Sequence, residues 1–230
     1  MIILGRTQST LETAAKEISD AAKSVNHQVN VRFFIADVTD ADVVFNTFKT
    51  IKGDCASIDI VVNNAGGLHL GTIEDSDAAG YISSFDANFK GTLNIMQSFS
   101  RLGLDRDSAS PATFINLSTL GIAMPNYPTW SQYVTSKLAA FSLTAFMGVE
   151  MKGKVRAFSI HPGRIATDMS TQAGLQASDD EGSSYTSCSP SRREADRYYR
   201  ATWCVLCVAH RYTRSRLSTG KTSGVQLGCR

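Results

Sequence analysis

Tyr133 and Lys137 stand four residues apart in the run Tyr133-Val134-Thr135-Ser136-Lys137. On a helix, residues i and i+4 share one face, one turn apart. An ammonium placed there holds a phenol in its field and lowers its pKa. A side chain that titrates near ~10 then becomes a proton donor and acceptor near neutral pH. A shift of roughly three units requires about 4 kcal/mol of preferential stabilisation of the phenolate. The pair alone does not define a site. The chain has seven Tyr, and two polar residues on a solvated helix face give the same spacing. Its weight comes from the residues upstream: Asn63-Asn64-Ala65-Gly66, then Asn88, then Ser118-Thr119.

Those residues need elements to carry them. The apolar run 1–5 reads as a strand, followed by a helix capped by Thr7 or Ser9 with Leu11, Ala14, Ile18, Ala22 and Val25 on one stripe. Residues 29–35 are β-rich and end at Asp37. Asp40 caps a helix with Val43, Val44, Phe48 and Ile51 at helical spacing. The continuous apolar run 58–62 has the character of a buried parallel strand. A long helix over 76–102 holds Asn88 and Lys90, a strand over 113–117 ends at Ser118-Thr119, a helix over 131–151 holds Tyr133 and Lys137, and a strand over 155–160 stops at His161-Pro162-Gly163. Strand and helix alternate, which predicts an α/β fold with a mostly parallel sheet. Ligands bind such sheets outside the carboxyl ends of the strands. Asp37, residues 63–67, Ser118-Thr119 and residues 161–167 all fall there, which points to one shared site.

The bulk numbers set limits. A chain of 230 residues with 43% hydrophobic content can bury a core. Residues 190–230 carry nine basic and two acidic side chains, a balance of +7, which leaves −5 for the other 189 residues. No stretch approaches the ~18 apolar residues of a membrane span. Met1-Ile2-Ile3-Leu4 is too short for a signal peptide, and five scattered Cys argue against a disulfide framework. A cytoplasmic protein is expected. Cys204-x-x-Cys207 with His210 lacks the second pair of a zinc site. Gly220-Lys221-Thr222 lacks the first glycine of a phosphate loop, and Asn116-Leu117-Ser118 is a glycosylation sequon at a buried strand end. The basic tail has no nucleic-acid fold signature. Residues 1–170 read as the folded domain, and 171–230 as an atypical, partly disordered basic segment.

Taken in order, Asp37, Asn63-Asn64-Ala65-Gly66, Asn88, Ser118-Thr119, Tyr133…Lys137 and Pro162-Gly163-Arg164-Ile165-Ala166-Thr167 resemble the short-chain dehydrogenase/reductase family over roughly residues 1–170. The resemblance implies a doubly wound Rossmann-like sheet and an oxidoreductase that interconverts a secondary alcohol and a ketone or aldehyde. It implies that Tyr133 is the acid/base and that Lys137 lowers its pKa and holds the nicotinamide ribose. Asn88 then anchors a proton relay. Thr119 orients the substrate carbonyl, with Ser118 as the alternative. Asp37 contacts the adenine, and Asn64, Ala65 and Gly66 line the adenosine ribose. Lys90 is grouped with the cofactor contacts, and Ile165 and Thr167 bond the nicotinamide carboxamide. An acidic residue at the end of the second strand would select NAD(H). Gly5 and Arg6 stand there instead, and a guanidinium favours the 2′-phosphate of NADP(H). Met124, Tyr127 and Trp130 suggest an apolar pocket wall, or else pack their own loop. The expected partners are a small carbonyl or alcohol substrate and a second copy of the chain.

The chain departs from the family pattern at both ends. The first strand and the glycine-rich turn G-x-x-x-G-x-G are missing, so an incomplete member is expected. In the strand order 3-2-1-4-5-6 that strand is central. Either the Met1 strand pairs with the strand at 58–62, or the sheet splits. Residues after 209 do not resemble the family's last strand. A catalytically inactive remnant is therefore the alternative to an active enzyme.

Overall fold

The computed structural model describes residues 1–163 apart from 56, 105–110 and 124–127, together with 167 and 169. Ile165 and the whole segment 171–230, with its cysteine pair and basic residues, lie outside the described residues, as do Met124 and Tyr127.

Strand and helix alternate as expected. The elements are β1 (Ile2–Gly5), α1 (Gln8–Ser24), β2 (Arg32–Ile35), α2 (Ala41–Asp54), β3 (Ile60–Asn63), α3 (Ala78–Phe85), α4 (Gly91–Ser98), β4 (Ala112–Leu117), α5 (Ser131–Glu150) and β5 (Val155–Ile160). A π-helical turn, Asp86–Lys90, joins α3 to α4, and a second, Phe99–Gly103, closes α4. The single helix expected over 76–102 is thus a continuous helical run that departs from α winding twice.

All strand pairs are parallel, and the sheet is split. β1 pairs with β2, while β3, β4 and β5 form a second sheet in that order. Of the two arrangements the sequence allowed, direct pairing of the Met1 strand with β3 does not occur. Side chains join the two sheets. Val44 and Phe48 of α2 share one core with Ile95, Met96 and Phe99, with Ala112 and Phe114 of β4, and with Met147 and Val155. Leu4 of β1 and Val61 of β3 pack against the same cluster.

Local chemistry explains the helices. The Asp40 carboxylate accepts from the Asp42 and Val43 amides at 3.0 Å each, capping α2 as its sequence predicts. Thr7 occupies the N-cap of α1 without a side-chain bond. The apolar stripe expected on α1 is only partly used: Leu11 is buried, but Val25 is 63% exposed. A sheet of two strands offers α1 a narrow floor. Asn94 Nδ2 donates to the Val38 carbonyl at 2.8 Å, and a Cβ on Gly91 would lie 2.6 Å from Val38 Cγ2. This close approach ties α4 to the turn after β2. Cys55 is buried at the C-cap of α2.

Candidate active site

β4 alternates buried and half-buried side chains, and its buried face carries Ala112, Phe114 and Asn116 against the helices. The strand delivers Ser118 and Thr119 to its carboxyl end. The Ser118 amide donates to the Ile160 carbonyl at 2.7 Å, which holds that end against β5. The Ser118 hydroxyl is buried and has no hydrogen-bond partner among the described residues. Thr119 Oγ1 instead accepts from the Gly121 amide at 3.2 Å and is close enough to the Tyr133 phenol to favour its ionised form. Of the two hydroxyls, Thr119 is therefore the one placed beside Tyr133.

α5 buries both halves of the pair the sequence singled out, Tyr133 at 9% exposure and Lys137 at 6%. Lys137 Nζ donates to the Leu117 carbonyl at 2.8 Å and lies 6.0 Å from the centre of the Tyr133 ring. The opposite flank of Tyr133 meets the Trp130 ring edge-on, with centroids 5.8 Å apart, so Trp130 packs its own helix start. Burial raises the Tyr133 pKa, opposed by the nearby Thr119 hydroxyl. Burial also pushes the Lys137 ammonium down to about 8. Desolvation disfavours both charged forms.

Asn88 sits in the π turn Asp86–Lys90 and is 1% exposed. Its Oδ1 accepts from the Gly67 amide at 3.0 Å, and its Nδ2 donates to the Gly67 carbonyl at 2.9 Å and to Ser136 Oγ at 2.9 Å. π turns recur at functional positions because one extra residue re-aims a side chain. A Cβ on Gly66 would fall 2.7 Å from Asn88 Oδ1 and 3.2 Å from Lys137 Nζ. Glycine is required for the loop after β3 to come this close to both. Ala65 is half-buried beside it, and Asn64 is exposed.

Asp37 follows β2. Its carboxylate accepts from the Thr39 amide and hydroxyl at 2.8 Å each, which holds its pKa below the ordinary carboxylate value. The positive charges of Arg6 and Lys90 push in the same direction. Both cations are exposed. The carboxyl ends of β1 and β2 and the π turn thus bring Arg6, Asp37 and Lys90 into one electrostatic neighbourhood. Thr167 is described and exposed.

Sequence reading missed the polar frame under this site. Asn63 belongs to β3 itself and donates from Nδ2 to Thr92 Oγ1 at 2.8 Å and to Asn116 Oδ1 at 2.9 Å. Asn116 Nδ2 reaches Thr144 Oγ1 at 3.1 Å. A polar residue inside the otherwise apolar strand at 113–117 was the available signal. Ser136 and Gln132 were missed too, since polar residues on a helix read as solvent-facing.

No helix among the described residues is long and apolar enough to cross a membrane. The architecture is a Rossmann-like α/β fold. Solved structures share it: a short-chain dehydrogenase/reductase of Mycobacterium ulcerans superposes with a TM-score of 0.66 at 23% identity, covering 76% of this chain and 62% of that one. A gluconate 5-dehydrogenase of Burkholderia cenocepacia, in complex with NADP and tartrate, superposes at 0.62 with 21% identity, covering 76% and 66%. The short chain dehydrogenase family model matches residues 1–178. The chain belongs to the short chain dehydrogenase family of oxidoreductases. A short chain dehydrogenase of Monascus purpureus is 30% identical over 167 residues, which is 71% of this chain and 56% of the relative. An uncharacterized oxidoreductase of Staphylococcus saprophyticus is 30% identical over 171 residues, covering 74% and 69%. The chain spans about half the length of the first of these relatives.

Proposed function

We propose that the protein is an NADP(H)-dependent oxidoreductase that interconverts a secondary alcohol and a ketone or aldehyde, with Tyr133 as acid/base. The observation that carries this reading is the burial of Tyr133 next to Lys137 at the carboxyl end of β4, with the Thr119 hydroxyl as the neighbour that favours the phenolate. A substrate oxygen entering between the two hydroxyls accepts from both. Thr119 orients it, and Tyr133 delivers or removes its proton.

The residues present fit a nicotinamide dinucleotide at both of its nucleoside ends. Gly66 lets the loop after β3 lie directly against Asn88 and Lys137, and its bare backbone lines the adenosine ribose. Lys137 binds the nicotinamide ribose hydroxyls, Asn64 and Ala65 line the adenosine ribose, and Ile165 and Thr167 hold the carboxamide. Arg6 and Lys90 beside Asp37 support the 2′-phosphate of NADP(H) over NAD(H), with Asp37 turned to the adenine. The nicotinamide supplies or accepts the hydride. Asn88 fixes the Gly67 backbone and, through Ser136, the helix that carries Tyr133. Exposed Leu138, Phe146 and Val149 on α5 support self-association of the chain through that helix.

The competing reading is a catalytically inactive remnant of such an enzyme. Titration of the protein with NADPH, followed by nicotinamide fluorescence, separates the two. Saturable binding with turnover of a ketone supports the enzyme, and no binding supports the remnant. In the active protein, Tyr133→Phe is expected to lower kcat by ~100-fold or more while the NADPH Kd stays unchanged. Thr119→Val should also lose turnover and Ser118→Ala should keep it. Full activity in Tyr133→Phe rejects the assignment.

A further inference from the structure

The ring plane of Tyr133 is not settled by the helix that carries it. A tyrosine's χ2 is broad, so rotamer preference leaves the tilt of the ring open. Rotation about χ2 keeps the phenol oxygen in place but turns its O–H bond, because that bond lies in the plane of the ring. The ring plane therefore sets the direction in which a proton is delivered or taken up. Along the chain, Lys137 lies one helical turn beyond Tyr133 and Trp130 one turn before it. Lys137 is anchored by the Leu117 carbonyl and stands 6.0 Å from the centre of the phenol ring. The Trp130 ring stands 5.8 Å away at 80° to the phenol, the edge-to-face geometry that aromatic pairs prefer.

The backbone that brings the indole there departs from local rules. Trp130 occupies the N-cap of α5 without a side-chain cap hydrogen bond, where Ser, Thr, Asp or Asn would satisfy an orphan amide. The residue before it, Thr129, is β-branched and takes a left-handed φ of 70°. Such a conformation persists only where the surroundings hold it. Here the Thr129 carbonyl accepts from the Gly71 amide at 2.8 Å, and the Trp130 carbonyl accepts from the Val134 amide at 2.9 Å to start the helix. The chain thus forgoes a cap and keeps a threonine in the left-handed region at the point that lays an indole against Tyr133.

We propose that Trp130 is a positioning residue whose edge-on indole fixes the ring plane of Tyr133 and so aims the phenolic proton at the substrate oxygen. This rests on the oxidoreductase reading above. In this role Trp130 acts through the phenol alone. A smaller aromatic ring can present the same edge, whereas an aliphatic side chain fills the space without one.

In steady-state assays with a ketone and NADPH, Trp130→Leu is expected to lower kcat ~10-fold or more at nearly constant KM, since the geometry of proton transfer is disturbed rather than binding. Trp130→Phe should restore most of kcat. Unchanged kcat in Trp130→Leu overturns the positioning role, and so does a Trp130→Phe protein no better than Trp130→Leu. A raised KM at constant kcat overturns it as well, because Trp130 is then a binding contact. A second readout needs no substitution at Trp130. The chain has two Trp, so Trp203→Phe leaves the Trp130 emission to be read alone. An ionised phenol takes up energy from an excited indole at this separation, so the emission is expected to fall as pH rises through the Tyr133 titration. Adding Tyr133→Phe should remove that fall. An equal fall in both proteins overturns the ring contact. Absence of turnover in the unaltered protein overturns the oxidoreductase reading and the catalytic role with it, while the emission still decides whether the indole lies against the phenol.

Discussion

Tyr133 and Lys137 are each displaced toward the neutral form by the same dry surroundings, the phenol upward and the ammonium down to about 8. For Lys137 the displacement has a thermodynamic sign. Its folded pKa lies below its ordinary value of 10.5, so burial opposes folding wherever the side chain is charged. That penalty is on the order of 3 kcal/mol. It is fully present below pH 8 and is relieved as pH rises from about 8 to 10.5, where the unfolded chain binds a proton that the native one has released. Lys137→Met removes the titration and leaves the Leu117 carbonyl without its donor, an offset that does not vary with pH. The stability of the unaltered protein relative to Lys137→Met is therefore expected to increase between pH 7 and pH 10. Urea midpoints of the two proteins across that range check it. A constant difference would mean the ammonium is better solvated than its burial implies.

At the level of elements, the site depends on how closely backbones approach. Gly91 lets α4 lie against the turn after β2, and its neighbour across the gap is the branched carbon of Val38 rather than a flexible tip. Gly91→Ala is expected to destabilise the protein by about 1–3 kcal/mol, read from the urea midpoint. The double variant Gly91→Ala/Val38→Ala should recover part of it. Much of this scaffold was legible from spacing: the Asp40 cap, the limits of β5, and the helix that carries Tyr133. The residues at the strand ends were legible because parallel sheets put ligands there. The winding of the run from Ala78 to Gly103 was not legible, because a π turn differs from an α turn by one residue and leaves the apolar periodicity intact over so short a stretch. The weak seating of α1 was hidden for another reason. An apolar stripe at positions 11, 14, 18, 22 and 25 records what a helix can bury, whereas the width of the sheet beneath decides what it does bury. The burial of Gln132 was not legible because its hydrogen-bond partner, Ser76, lies 56 residues away in sequence.

Over the whole molecule, one core spans two sheets that share no backbone hydrogen bonds. Phe48 on α2 stands where the β1–β2 side meets α4 and β4. Phe48→Ala is expected to cost about 3–5 kcal/mol. The loss should appear equally in β2 and β4 by native-state hydrogen exchange, since side-chain packing is what couples the two sheets. A loss confined to β2 would show that the two-stranded sheet is an independent unit. The buried amides between β3 and β4 act on the same scale. Asn63 stands opposite Asn116 in the ladder, and each completes the other's hydrogen bonds while Thr92 and Thr144 complete the remainder from α4 and α5. A slip of β3 by one residue would turn Asn63 to the opposite face and leave Asn116 facing α5 with an unfilled acceptor. Apolar side chains at these positions would tolerate that misalignment, whereas two carboxamides do not. The pair works as a checksum on strand alignment during folding, accepting the one pairing in which the loop after β3 arrives beside Tyr133.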